Sequence, residues 1–160
     1  MTDRDTDRRY LARAVALSRE HMEKGEGGPF GAVIVRDGEI LAEGWNEVTS
    51  ANDPTAHAEV TAIRRACKAV GDFSLRGATL YTSCEPCPMC LASAFWARVD
   101  RIVYANTRAD AAAIGFDDAF IYDEIPKHPG ERALPAEHLP LDEARAVFEA
   151  WLAKPDRVEY

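Results

Sequence analysis

Two short stretches hold the residues best suited to chemistry: His57-Ala58-Glu59 and Pro86-Cys87-Pro88-Met89-Cys90. One imidazole and a Cys-x-x-Cys pair are soft or borderline metal donors, and three such ligands leave the fourth position of a tetrahedral zinc ion open. A structural zinc site closes that position with another Cys or His. The remaining candidates, Cys67, Cys84, His21, His128 and His138, form no second ligand pair, so the set reads as catalytic. Glu59, two residues past the histidine, falls beside such a metal rather than on it. There a carboxylate can take a proton from water and deliver it to a substrate nitrogen. Two plainer readings compete: a Cys-x-x-Cys redox pair, and a core histidine with packing cysteines. The presence of all five defining residues in order favours the metal.

The elements that must position these residues can be read from periodicity. From Tyr10 to Met22 the residues Leu11, Ala14, Val15, Leu17 and Ser18 recur at helical spacing, predicting an amphipathic helix that ends near Lys24-Gly25. Phe30 to Val35 and Glu39 to Gly44 read as strands joined by a tight turn at Asp37-Gly38. Asp53-Pro54 is a helix-start signal. The stripe Val60, Ile63, Cys67 and Val70 then predicts a helix with His57 and Glu59 in its first turn. In that stripe Cys67 is a small buried hydrophobe and not a ligand.

A strand over Ala78 to Ser83 leads to a second helix entrance at Pro86, with Leu91, Ala94, Phe95 and Val99 as its buried side. Two helix N-termini thus converge on one metal, and their dipoles favour the thiolate forms of Cys87 and Cys90. Cys84 reads as a strand-end neighbour. Arg101 to Ala105 is a fourth strand, Ala109 to Ile114 a short helix closed by Gly115, and Lys127 to Pro135 an irregular connector before a last helix over Leu141 to Leu152. Strands alternating with helices after the opening hairpin predict an α/β fold with a mostly parallel sheet and helices on both faces.

Length and charge narrow the function. A chain of 160 residues predicts one domain, and 47% apolar with 29% charged residues is ordinary globular composition. No run approaches a membrane span, and Met1 to Arg9 has no apolar segment behind it as a secretory signal would. Four cysteines, two of them assigned to metal, suit the reducing cytoplasm. The net charge of −8 argues against a polynucleotide partner, which requires clustered Lys and Arg. Arg64, Arg65 and Lys68 at helical spacing are more simply a solvated face. A free base or small heterocycle is the expected substrate class.

His-x-Glu followed by Pro-Cys-x-x-Cys is the signature of zinc nucleobase deaminases. The chain resembles the bacterial guanine deaminases of the cytidine-deaminase fold from its first helix to its last tyrosine. The resemblance is carried by Gly27-Gly28-Pro29-Phe30-Gly31-Ala32-Val33, Asn52-Asp53-Pro54-Thr55-Ala56-His57-Ala58-Glu59-Val60, Thr82-Ser83-Cys84-Glu85-Pro86-Cys87-Pro88-Met89-Cys90 and Gly115-Phe116-Asp117-Asp118. Cytosine, cytidine and tRNA adenosine deaminases share the zinc motif, whereas Gly115 to Asp118 and the Tyr160 terminus mark the guanine subgroup.

The resemblance implies a three-layer α/β/α fold with a five-stranded mixed sheet. It implies a homodimer in which the C-terminal segment, about residues 136–160 of a single 1–160 deaminase domain, is exchanged between subunits. It implies zinc on His57, Cys87 and Cys90, with Glu59 as the proton shuttle. Asn46 and Ala58 would bind the purine base, Phe30 and Trp96 would line its ring, Asp118 would bind its nitrogen edge and assist departure of ammonia, and Tyr160 would close the pocket. The reaction implied is guanine to xanthine and ammonia, in purine catabolism or salvage. Without the resemblance, Trp96 reads as core, Asn46 as a turn residue and Tyr160 as a frayed end. Two alternatives stand: a deaminase of another base or heterocycle, such as cytosine, tRNA adenosine or ammeline, and a non-catalytic zinc-binding scaffold, against which the intact Glu59 speaks.

Overall fold

Helix α1 (Asp3–Glu23) begins well before its apolar stripe, with Asp3 and Asp5 in the first turn where the helix dipole favours negative charge. The computed structural model describes residues 3–160. Tyr10, Ala14, Leu17 and His21 form the buried side of α1. Strands β1 (Gly31–Arg36) and β2 (Glu39–Trp45) pair antiparallel, with Arg36 opposite Glu39. Their connection is Asp37-Gly38, both at positive φ (53° and 80°), the two-residue turn that the dipeptide predicts.

After a single-turn helix α2 (Val48–Ala51), the chain runs through α3 (Ala58–Val70), β3 (Ala78–Cys84), α4 (Pro88–Ala97) and β4 (Arg101–Asn106). Alternate residues of β1 face opposite layers, as a strand's twofold side-chain period requires. Val33 and Val35 pack with Tyr10, Leu17 and Tyr81 under α1. Ala32 and Ile34 pack with Ala58, Ala62, Ala66 and Ala94 under α3 and α4. The result is a three-layer α/β/α arrangement. Two glycines set how near the outer layers approach. A Cβ on Gly31 would lie 2.2 Å from the Ala14 carbonyl oxygen of α1, and one on Gly44 would lie 2.3 Å from the Ala58 carbonyl oxygen of α3.

The sheet order is β2-β1-β3-β4, and among the described residues it has four strands, not the five that the resemblance implies. The chain beyond β4 is helical: α5 (Arg108–Ala113), held by a Thr107–Asp110 capping box, and then further short helices. It offers no further alternating run for a strand. The sheet is also mixed rather than mostly parallel. β3 pairs antiparallel with β1 and parallel with β4. β2 and β3, joined through α3, do run in the same direction, but β1 lies between them.

Other departures are local. Helix α3 starts at Ala58 and not at Pro54, because the Asp53 carboxylate turns back to accept hydrogen bonds from the Thr55 backbone N–H and hydroxyl (2.8 and 2.7 Å). Phe95, expected on the buried side of α4, is 75% exposed; Pro88, Cys90, Ala94 and Ala97 face inward instead. The chain divides into two compact units, one ending at Asp118 and the other spanning Ala119–Tyr160. The second unit comprises α6 (Ala119–Glu124), a 3-10 turn at Pro129–Glu131 and α7 (Asp142–Ala153), and none of its residues is buried.

Candidate active site

Two helix starts create the site. His57 is the N-cap of α3 (φ −70°, ψ 156°) and Cys87 the N-cap of α4 (φ −66°, ψ 169°), so both hold extended backbone where a helix begins. Neither side chain caps its own helix, which leaves the imidazole and the thiol turned to each other. Pro88 occupies the first position of α4, where its missing N–H costs nothing, and brings Cys90 round the same turn. His57 Nδ1 lies 3.5 Å from both Cys87 Sγ and Cys90 Sγ.

The ligand-type atoms of these three residues all lie within 4.8 Å of one another. Zinc–sulfur and zinc–nitrogen bonds of about 2.3 and 2.0–2.1 Å at a tetrahedral angle place N and S about 3.6 Å apart. The donor set and its spacing therefore fit zinc.

Charge is redistributed within this group. Cys87 is pulled down to about 4, chiefly by a hydrogen bond from the Cys90 thiol and then, against burial, by one from His57. The Cys90 thiol is pushed up as the donor in that pair. His57 is raised, mainly by its hydrogen bond to Cys87. The direction at Cys87 is the one expected for a thiolate, and the Cys90 thiol, as donor to it, is shifted the opposite way. Cys84 is buried, is pushed up to about 11 by that burial, and donates to the Thr107 carbonyl oxygen at 3.7 Å, consistent with its reading as a strand-end neighbour.

Glu59, in the first turn of α3, is buried, and burial raises its carboxyl above the usual range. Its Oε1 accepts a hydrogen bond from the Thr82 hydroxyl at 3.1 Å. The same hydroxyl lies 3.0 Å from the Cys84 carbonyl oxygen. Thr82 is fully buried in β3, and sequence reasoning missed it. The signal was available: a hydroxyl within a central strand must find a buried partner.

Asn46 is buried at the end of β2, and its Oδ1 accepts from the backbone N–H groups of Gly28 (3.1 Å) and Val48 (3.2 Å). With the carbonyl side committed twice, the side-chain NH2 is left as a donor. Asn46 N donates to the Phe30 carbonyl oxygen at 3.1 Å, and Glu47 N to that of Ala56, the residue before His57, at 3.0 Å. These bonds tie Asn46 and Phe30 to the loop that carries His57. Phe30 meets Phe116 edge to face, with centroids 4.9 Å apart. Asp118, half-buried, follows closely in sequence, and its carboxyl is raised by burial and also by the Cys87 charge. Ala58 is fully buried as the first residue of α3, where a backbone N–H has no intrahelical acceptor.

Trp96 is not brought to this cluster. Trp96 is 65% exposed, neither core nor beside the thiols: six residues along α4 place it about 9 Å past Cys90. Tyr160 ends the second unit and is 71% exposed.

Residues 4–106 match the family described as the cytidine and deoxycytidylate deaminase zinc-binding region. The chain belongs to that deaminase family. The matched span contains His57, Glu59, Cys87 and Cys90. A guanine deaminase of Bacillus subtilis (strain 168) is 55% identical over 151 residues, 94% of this chain and 97% of that protein. A tRNA-specific adenosine deaminase of the same organism is 43% identical over 98 residues, 61% of this chain and 60% of that protein. The X-ray structure of guanine deaminase from Bacillus subtilis superimposes with a TM-score of 0.94 at 52% identity, covering 100% of this chain and 99% of that one.

Proposed function

We infer that this chain is a zinc-dependent hydrolase that deaminates guanine to xanthine and ammonia. The observation that carries the substrate is the 55% identity to a guanine deaminase over 94% of the chain. The site's own chemistry agrees with it: a three-ligand metal group beside a buried carboxylate. His57, Cys87 and Cys90 would hold the zinc, which would supply the Lewis acidity that makes water a nucleophile near neutral pH.

Glu59 then does the proton work. It accepts the proton that the attacking water gives up and passes it to the ring nitrogen next to the carbon bearing the amine. The proton left on the added oxygen passes to the amine, the carbon–nitrogen bond breaks, ammonia leaves, and the carbon keeps the oxygen as a carbonyl. Thr82 holds one carboxylate oxygen and so fixes the orientation in which the carboxyl group exchanges the proton. The Asn46 NH2 donates to an acceptor on the base, since its carbonyl is already occupied. Phe30 and Phe116 offer an aromatic wall, and in an exchanged dimer Tyr160 of the partner subunit would close over the base. Asp118, raised by burial, is suited to give a proton to the departing ammonia.

The active form in this reading is a homodimer that exchanges residues of about 136–160. It is supported by the second unit, in which no residue is buried and α7 exposes Val147, Phe148 and Leu152. Clustered exposed apolar side chains are the kind of surface that a partner covers. Four free cysteines suit the cytoplasm, and no helix among the described residues is long and apolar enough to cross a membrane.

Ammonia release from guanine, adenine, cytosine, cytidine, ammeline and tRNA tests the substrate. Turnover of guanine well above the others is the expected result. Release from tRNA adenosine instead would transfer the reading to the other relatives.

A further inference from the structure

Asn46 stands between Trp45 and Glu47, and one side chain from another element holds both neighbours. The Arg65 guanidinium lies over the Trp45 ring, its central carbon 4.3 Å from the centroid. Its Nη2 donates to both carboxylate oxygens of Glu47 at 3.2 and 3.0 Å, and its Nη1 to the Glu43 backbone carbonyl at 3.1 Å. Trp45 is also stacked by His21, with centroids 3.6 Å apart and planes 4° from parallel. Two groups cannot both occupy one face of an indole at those distances. His21 comes from α1 and Arg65 from α3, which cover opposite faces of the sheet, so the ring is sandwiched.

The same arrangement reaches the far side of Asn46. His21 Nδ1 is 2.8 Å from Glu26 Oε2, next to the glycine pair whose Gly28 N–H holds the Asn46 side chain. Gly27 lies so close that a Cβ there would be 2.0 Å from the Asn46 carbonyl oxygen. Trp45 ends an edge strand, where the chain lacks a ladder on its outer side. Backbone bonds already hold Asn46 to Phe30 and Glu47 to Ala56, and the clamp adds a second restraint on the side chains flanking Asn46; a recognition group displaced by about 1 Å loses much of its effect.

We propose that Arg65 is a positioning residue for substrate recognition, fixing the Asn46 amide by gripping Trp45 and Glu47 on either side of it. The proposal rests on the reading of the base as the ligand of Asn46. Arginine suits the role because its planar fork can stack and make several directed hydrogen bonds at once, which a lysine ammonium cannot. The positive charge at Arg65 is thereby committed to the fold.

The test is a double-mutant cycle read as guanine binding, with labelled guanine in equilibrium dialysis against zinc-loaded protein carrying Glu59→Gln to prevent turnover. Arg65→Met is expected to weaken binding about tenfold when Asn46 is present, and less than about twofold when Asn46→Ala has already been made. Glu47→Gln, a near-isosteric change at a residue outside the chemistry, is expected to show the same dependence and keeps the test decisive if Arg65→Met fails to fold. Equal losses with and without Asn46 would overturn the positioning role and leave Arg65 a stabilising residue. If the protein with Arg65 and Asn46 both intact binds no guanine, the substrate reading is what fails, and the proposal fails with it.

Discussion

The proposed mechanism concentrates the chemistry in the Glu59 carboxyl group, and its immediate surroundings make separable predictions. Glu59→Gln preserves shape and burial but can neither accept nor pass on a proton. It should keep about one zinc per chain by elemental analysis while turnover falls by at least about 10² to 10⁴. Thr82→Val removes only the hydroxyl that holds Oε1, a hydrogen bond to a charged group, and should lower kcat about 10- to 100-fold with zinc unchanged. Cys87→Ala removes a ligand, so metal and activity should be lost together. Away from the site, Asp7 joins α1 to the sheet through a bidentate pair with Arg101 (2.9 and 2.6 Å) and a bond from the Tyr81 hydroxyl (2.8 Å). The Arg101 bond holds the Asp7 carboxyl below its ordinary value of 3.8. On acidification the unfolded chain therefore binds this proton first. The stabilisation is fully present above about pH 4 and is lost as pH falls through the lowered folded value. Melting curves of Asp7→Asn should show a lower Tm than the parent at pH 7, with the gap closing in strong acid.

At the scale of elements, a glycine decides how near the helix carrying Glu59 lies to the sheet. Gly44→Ala would thrust a Cβ to 2.3 Å from the Ala58 carbonyl oxygen and 2.5 Å from the Ala62 nitrogen, both backbone atoms of α3. Chemical denaturation should show a loss of about 1–3 kcal/mol, the usual cost of overpacking, and turnover should fall because the displaced turn carries Glu59. Nothing in the sequence around Gly44 announces this, since close approach involves a partner 14 residues or more along the chain. The clustering of His57, Cys87 and Cys90 is legible for the opposite reason: two short motifs each place their residues within one helical turn, so spacing alone carries the geometry. Thr82, the committed Asn46 carbonyl and the Arg65 clamp all depend on through-space neighbours. The helix start at Asp53-Pro54 was misread because an aspartate can cap a turn as readily as a helix. The sheet was misread because the β2–α3–β3 crossover is indeed between like-directed strands, yet nothing local shows that β1 is inserted between them.

The molecule as a whole raises the question of what its last residues do, because α7 and the tail contain no buried residue and yet carry large apolar side chains, Phe148 and Tyr160 among them. A tail that merely frays contributes nothing to turnover. A tail that covers the base excludes water and fixes its orientation, so its removal costs catalysis without disturbing the metal. Deleting Val158 to Tyr160 should therefore leave zinc content and Tm nearly unchanged while guanine turnover falls about tenfold or more, equivalent to roughly 1.4 kcal/mol of transition-state stabilisation. Exchange between subunits makes a second demand. Mixing the truncated chain with Glu59→Gln chains that keep their tails should restore part of the activity, because each mixed dimer has one site with an intact carboxylate and a borrowed tail. Sedimentation should show the dimer throughout. Loss of turnover without rescue would assign the tail to its own chain's site, and unchanged turnover in the truncated protein would remove Tyr160 from the site altogether.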